Sequence, residues 1–250
     1  MIRKRMLLLS VFLILIVSVL NINAIGVSAV EYPGIYSSPA WVHTDDPASA
    51  IGTNYTFSVY TDYTGSDVWG YEFTLTFNPN ILEGVEVVNG DLITSGVGPI
   101  MWSPGTFNNT SGELSLTGNG FFAMPPAIPP VTSGPGILAN ITFTVVAYGI
   151  SNITLGDITR LIGYDAIIEE YNIVDDTMLG HIEGGIFYNT IKGDADNNGY
   201  VGSSDFSILA GAYGTSVGNP AYDERADFNH DGYIGSADFS MLAGNYGTSI

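Results

Sequence analysis

The tightest constraint on this chain is a duplication near its C-terminus. The segment Asp194–Asp205 recurs 33 residues later as Asp227–Asp238, and aligning Asp194–Ser216 with Asp227–Ser249 gives 15 identities in 23 positions. A match of that density marks one structural unit used twice. Each copy sets oxygen-bearing side chains at loop positions 1, 3, 5 and 12 with glycine at position 6, a spacing that wraps a short loop around one hard cation. The expected ligands are Asp194, Asp196, Asn198, the carbonyl of Tyr200 and Asp205 in the first loop. In the second they are Asp227, Asn229, Asp231, the carbonyl of Tyr233 and Asp238. Gly199 and Gly232 fall where the loop turns, and Gly202 and Gly235 offer no side chain at position 9, leaving that place to water. Flexible oxygen ligands suit Ca2+ better than Mg2+, which needs a tight octahedron, and zinc would ask for His or Cys. Two calcium ions are therefore expected.

After each loop, Phe206, Leu209, Ala210 and Tyr213, and likewise Phe239, Leu242, Ala243 and Tyr246, recur at i, i+3, i+4 and i+7. Each set predicts a short helix whose apolar stripe packs against the other around a pseudo-twofold axis. What precedes each loop is not helical, so these are loop-plus-one-helix units, with a core too small to hold without metal.

Upstream, Tyr55, Phe57 and Val59 alternate with polar residues, as do Tyr71, Phe73, Leu75 and Phe77, and similar runs occur at 113–117, 138–146, 150–155 and 182–188. Period two means strands with one buried and one wet face. Eight or nine such strands predict an antiparallel β-sandwich, with the Pro-rich segment 124–136 as a long loop inside it.

At the N-terminus, Arg3, Lys4 and Arg5 precede an apolar run from Met6 to Leu20 and small residues at Ser28 and Ala29. This is the pattern of a secretory signal peptide cleaved after Ala29. The expected organisation is a signal peptide (1–29), a linker (30–38), the sandwich (39–190) and the calcium module (191–250). Removing 1–29 leaves Arg160, Lys192 and Arg225 against all 25 acidic residues, a net charge of −22. Such a surface excludes nucleic acid as a partner and attracts cations. With no cysteine in the chain, stability has to come from core and metal. The mature chain is expected outside the cell, with no membrane segment. Sequons at Asn54, Asn108, Asn109, Asn140 and Asn152 are compatible with glycosylation, and Asn140 should face solvent.

The duplicated loop with Asp at position 12 and a single following helix resembles the type I dockerin module over Lys192–Ser249. The resemblance implies docking into cohesin modules of scaffolding proteins, often within polysaccharide-degrading systems. It places partner choice at loop positions 10 and 11, here Ser203 and Ser204 in one repeat and Ser236 and Ala237 in the other, and their near identity implies that either repeat can face the partner. The β region then resembles a cohesin across Pro39–Thr190, which implies a jelly-roll β-sandwich. The resemblance rests on Val68–Pro79, Ile81, Leu82, Val85–Val88 and Gly90–Leu92, and on Gly136–Val145, Gly149 and Ile153–Leu155. Asn78 stands where cohesins often have Asp before Pro.

The leading expectation is a noncatalytic adaptor whose sandwich receives one dockerin-bearing protein while its own dockerin docks elsewhere. Only 183–192 separate the modules, so head-to-tail chaining is favoured over self-docking. The alternative is a carbohydrate-binding sandwich, with a polysaccharide held by a flat row of aromatics drawn from Trp41, Trp69, Trp102, Tyr60 and Tyr63. A glycoside hydrolase would need paired carboxylates, but Asp45/Asp46, Glu169/Glu170 and Asp175/Asp176 are adjacent and would point to opposite faces of a strand. His43 and His181 stand alone in the sequence.

Overall fold

The computed structural model describes residues 34–63, 68–94, 99–121, 135–156, 159–165, 170–174 and 182–250. The expected signal peptide (1–29) and most of the Pro-rich segment lie outside these residues, as do His181, Glu169, Asp175 and Asp176. The order of elements begins β1 (Ile35–Ser38), β2 (Trp41–His43), a one-turn helix α1 (Pro47–Ala50), β3 (Asn54–Thr61), β4 (Val68–Thr76) and β5 (Leu82–Asn89). It continues through β6 (Ile100–Ser103), β7 (Phe107–Asn108), β8 (Glu113–Phe121), β9 (Gly136–Val145) and β10 (Gly149–Leu155). The chain then forms β11 (Arg160–Asp165), β12 (Glu170–Val174), β13 (Ile182–Glu183) and β14 (Gly185–Asn189), and ends with helices α2 (Ser203–Ala212) and α3 (Ser236–Asn245).

The strands build a two-layer sandwich. One sheet runs β13-β1-β3-β9-β5, and the other β12-β11-β4-β10-β14-β2 with β8 on β4 and β6 and β7 on β8. The alternating runs do what their period requires. Phe57 and Val59 of β3, Ile141 and Phe143 of β9 and Leu82 of β5 point inward from one sheet, against Tyr71, Phe73 and Leu75 of β4 and Phe187 of β14 from the other. The Phe143 ring lies at the centre, meeting Phe77, Phe107 and Phe57 at steep angles with centroids 5.1, 5.8 and 6.5 Å away, the edge-to-face geometry that ring quadrupoles favour. The phenol of Tyr71 donates to the carbonyl of Leu138 across the layers, so the polar atom of a buried ring is satisfied.

There are more strands than the eight or nine expected, because short ones that no alternation reveals are added inside the sandwich, at β6 and β7, and at both of its ends. β1 pairs parallel with β13 in one sheet, and β2 pairs parallel with β14 in the other. Each end of the sandwich domain thus changes sheet, between Ser38 and Trp41 at the start and at Gly184 near the finish. A Cβ at Gly184 would come within 1.8 Å of the Ile153 carbonyl, so only glycine allows that crossing. The first sheet consequently starts at Ile35, inside the segment expected to be linker. Asn140 is half-buried rather than fully wet, since its side-chain oxygen accepts from Ser58 Oγ at 2.6 Å.

The C-terminal repeats form a second, smaller core of Val201, Leu209, Ala212, Ala226, Phe228, Ile234 and Leu242. They are zipped together reciprocally. Val201, after the first loop, exchanges backbone bonds with Gly247 and Thr248 beyond α3 (2.8 and 3.0 Å), and Ile234, after the second loop, does so with Gly214 and Thr215 beyond α2 (2.8 and 2.9 Å). This places the two repeats in a pseudo-twofold arrangement, as expected.

The expected packing of the two apolar stripes is corrected. Phe206, Ala210, Tyr213, Phe239, Ala243 and Tyr246 are exposed, and only Leu209 and Leu242 of the two stripes are buried. The buried side of α2 is Asp205, Leu209 and Ala212, spaced i, i+4 and i+7. The reason is the loop: the position-12 carboxylate turns inward to accept the loop's backbone amides, and that fixes which face of the helix follows it.

Candidate functional site

The loop geometry comes from backbone amides that curl around carboxylates. In the first loop Asp194 Oδ2 accepts from Gly199 N–H at 2.8 Å and Oδ1 from Asn198 N–H at 3.1 Å. Asp196 Oδ1 accepts from Asn198 N–H at 3.2 Å, and Asn198 Oδ1 from Tyr200 N–H at 2.8 Å. Asp205 closes the loop, taking Gly202 N–H at 2.7 Å and Asp196 N–H at 3.2 Å. The second loop repeats these bonds: Asp227 takes Gly232 and Asp231 N–H at 2.9 and 3.2 Å, Asn229 takes Asp231 N–H at 3.2 Å, and Asp231 takes Tyr233 N–H at 2.8 Å. Asp238 takes Gly235 and Phe228 N–H, both at 2.9 Å.

Two residues per loop adopt left-handed backbone. Gly199 and Gly232 at position 6 have φ of 84° and 81°, as their type allows, and Asn197 and His230 at position 4 have φ of 56° and 55°. Asn and His are both among the residue types enriched in that conformation, so each position-4 residue suits its turn.

Carboxylate oxygens of Asp194, Asp196 and Asp205 lie within 4.8 Å of one another. Three carboxylates gathered at that spacing, two of them buried, fit a hard divalent cation, with the Asn198 side chain and the Tyr200 carbonyl available to add oxygens. The second loop assembles Asp227, Asn229, Asp231 and Asp238 in the same order, with Asn229 Nδ2 donating to Asp231 Oδ2 at 2.7 Å. Burial pushes the Asp194 carboxyl above its ordinary range, while donors from Tyr148, Gly199 and Asn198 oppose that shift. A bound dication would favour the ionised form decisively.

The residues at positions 10 and 11, Ser203, Ser204, Ser236 and Ala237, are all exposed at the helix starts. Phe206 and Phe239 lie one turn along on the same open surface. The opposite side of the module meets the sandwich, and sequence reasoning missed this junction. His230 of the second loop sits between Trp41 and Tyr188, with ring centroids 4.7 and 4.6 Å away, and His43 stacks on Tyr188 at 5.4 Å. Tyr148, in the turn between β9 and β10, donates to Asp194 Oδ2. Lys192 approaches Asp45 at 3.5 Å across an exposed edge. A cavity of about 260 Å³ lies along this junction, lined by residues such as His43, Ile186, Tyr188, Asn197, Arg225 and Phe228. His43, alone in the sequence, is thus a neighbour of His230 in space.

The aromatics expected to form a flat row do not share a surface. Trp69 is buried in the core, Trp41 packs on His230, Trp102 from β6 and Tyr63 after β3 lean on the core, and Tyr60 pairs with Tyr36 at 5.2 Å on the other sheet. Of the adjacent acids, Asp46 caps α1 through the amides of Ala48 and Ser49, and Asp45 faces Lys192.

A jelly-roll sandwich carrying a duplicated, carboxylate-lined loop-helix unit is a two-module interaction protein, and family comparisons agree. The cohesin domain family matches residues 42–166 and the dockerin type I domain family matches residues 192–245. The chain belongs to the cohesin family and ends in a type I dockerin domain. Cohesin and dockerin are noncatalytic interaction modules, and type I dockerins bind calcium.

Among solved structures, the sixth cohesin of scaffoldin B from Acetivibrio cellulolyticus, solved in complex with a dockerin, is 13% identical, with 63% of this chain and 98% of that one covered and a TM-score of 0.43. The seventh type I cohesin of ScaB from Pseudobacteroides cellulosolvens is 15% identical over 62% of this chain and 89% of its own, with a TM-score of 0.43. A non-cellulosomal cohesin from the archaeon Archaeoglobus fulgidus is 16% identical over 62% and 89%, with a TM-score of 0.39. No curated protein matches the chain. Among the described residues, no helix is long and apolar enough to cross a membrane.

Proposed function

We propose that this protein is a secreted, noncatalytic adaptor that links cohesin–dockerin pairs within a polysaccharide-degrading or cell-surface assembly. Its sandwich receives a dockerin-bearing protein, and its own dockerin enters the cohesin of another. Two calcium ions hold the dockerin, one in each loop. The ligands are Asp194, Asp196, Asn198, the Tyr200 carbonyl and Asp205 for one ion, and Asp227, Asn229, Asp231, the Tyr233 carbonyl and Asp238 for the other. The ions supply the charge that lets four nearly buried carboxylates, Asp194, Asp205, Asp227 and Asp238, stay ionised.

The observation that carries this reading is the placement of the dockerin. Its two equivalent helix starts, with Ser203, Ser204, Ser236 and Ala237, are open to solvent, while its other side is packed against the sandwich. Either repeat therefore stays available to a partner, and head-to-tail chaining between molecules is the expected arrangement. A heterologous contact of this kind extends an assembly without closing it.

The test is binding of the mature protein to sensor surfaces bearing type I cohesins or dockerin-bearing proteins, in calcium and in chelator. The reading predicts capture by both kinds of surface, with capture through its own dockerin lost in chelator. Failure to bind any cohesin or dockerin, together with retention on an insoluble polysaccharide, would replace it with the carbohydrate-binding alternative.

A further inference from the structure

We propose that Tyr148 of the sandwich is a positioning residue for the first calcium loop, so that a site whose ligands all lie in the dockerin is completed by the neighbouring module. This rests on the calcium reading of the loops given above.

The argument begins with the pseudo-twofold. In the second loop, Asp227 Oδ2 accepts two bonds, one from Gly232 N–H at 2.9 Å and one from the phenol of Tyr222 at 2.7 Å. In the first loop, Asp194 Oδ2 likewise accepts from Gly199 N–H at 2.8 Å and from a phenol, that of Tyr148. The same oxygen of the same ligand position is held by the same two kinds of donor. The source of the phenol differs. Tyr222 is part of the dockerin, five residues before Asp227, whereas Tyr148 precedes Asp194 by 46 residues and stands on the sandwich.

The sequence repeat shows why the donor has to be imported. Five residues before Asp194 stands Asn189, the last residue of β14. Its fully buried amide is committed within the sandwich: it accepts from Thr44 Oγ1 at 2.8 Å and donates to the carbonyls of Pro47 and Ala147 at 3.2 and 2.9 Å. Asn189 cannot reach Asp194 while making those bonds. By holding Ala147 it also anchors the turn that carries Tyr148. The Tyr148 oxygen in turn accepts the N–H of Ile191 at 3.3 Å, where the chain passes from the sandwich into the dockerin. The phenol is therefore fixed from two sides and aimed at a carboxylate that is only 4% exposed.

A donor behind a metal ligand fixes its orientation and leaves its other lone pairs for the ion, and loss of such a partner typically weakens metal binding about 10–100-fold. Because binding free energies are reciprocal, calcium in the first loop must also strengthen the seat of the dockerin on the sandwich. The ring contacts of His230 with Trp41 and Tyr188 bring the second loop to the same junction.

The experiment is a calcium titration of the chelator-stripped, 15N-labelled mature chain, following the amides of Gly199 and Gly232 as separate reporters of the two loops. Tyr148→Phe keeps the ring and removes only the donor. It should weaken the Gly199 transition about 10–100-fold and leave the Gly232 transition within about twofold, and Tyr222→Phe should give the mirror image. In calcium, the dockerin and sandwich amides of the wild type should tumble with one correlation time. A Gly199 transition unchanged in Tyr148→Phe, or equal weakening of both loops, would overturn the proposal while leaving two calcium sites in place. A wild-type chain with no calcium transition at either glycine would overturn the calcium reading and this inference together.

Discussion

Phe206 and Phe239, one turn into the equivalent helices of the two repeats, meet edge to face with ring centroids 6.4 Å apart, and each remains 44% exposed. Paired aromatics left in water at a symmetric place mark a surface that gains by being covered. Leu209 and Leu242, three residues further on, are the ones that hold the dockerin core. Leu209→Ala should therefore destabilise the calcium-loaded dockerin by about 2–5 kcal/mol, whereas Phe206→Ala should change it by less than about 1 kcal/mol. Urea unfolding followed by far-UV circular dichroism separates the two. On a cohesin surface the order should reverse: each single Phe→Ala is tolerated because the other repeat can serve, and the double variant fails to bind.

Removing calcium should act on one module far more than on the other. Asp205 and Asp238 are fully buried and begin the helices, and without a cation their burial opposes folding. Chelator is expected to abolish the helical signal of α2 and α3 while the sandwich keeps its own thermal transition. Asp205→Ala should lose one of two calcium sites in a calorimetric titration.

The sheet crossing at Gly184 gives a test of the fold. A methyl group there would lie 1.8 Å from the Ile153 carbonyl, a backbone atom that cannot move aside. Gly184→Ala should destabilise the sandwich by about 3 kcal/mol or more. Gly211→Ala, at an exposed position of α2 with nothing near the added carbon, should leave the dockerin as stable or slightly more so. The midpoints of urea unfolding check both.

The junction carries a pH dependence. Burial pulls the His43 imidazole down from its model-peptide value of 6.5 to about 4, against an opposing backbone hydrogen bond from its ring to Thr190 O at 2.9 Å. Between those two values the unfolded chain binds more protons than the folded one, so stability contributed by neutral His43 is full above pH 6.5 and falls as the pH drops toward 4. His43→Gln should flatten the slope of the sandwich melting temperature across that interval.

The sandwich and the loops were legible in the sequence for different reasons. Alternation at Phe57 and Val59, and again from Tyr71 to Leu75, records burial on one face directly, and the duplicated Asp/Asn/Gly spacing records loops whose amides curl around carboxylates. Elements that depend on distant partners left no such trace. β1 and β13 are four and two residues long, too short to show a period; β1 is a strand because β3 and β13 flank it, and β13 because β1 lies beside it. The buried face of α2 was misread because Phe206 and Tyr213 are larger than Asp205 and Ala212, yet the turn of Asp205 toward the loop amides of Gly202 and Asp196 decides the orientation. Tyr148 and His43 were invisible as site neighbours, since only the fold carries them to Asp194 and His230.

The central claim is that calcium builds a dockerin that joins one molecule to another. Its most direct test is calcium titration into the chelator-stripped mature chain by calorimetry, with sedimentation velocity on the same samples. The account predicts two binding sites per chain and a calcium-dependent, concentration-dependent increase in sedimentation coefficient that the Phe206→Ala, Phe239→Ala double variant abolishes. Absence of calcium binding, or two filled sites with a chain that neither self-associates nor binds any cohesin, would contradict it.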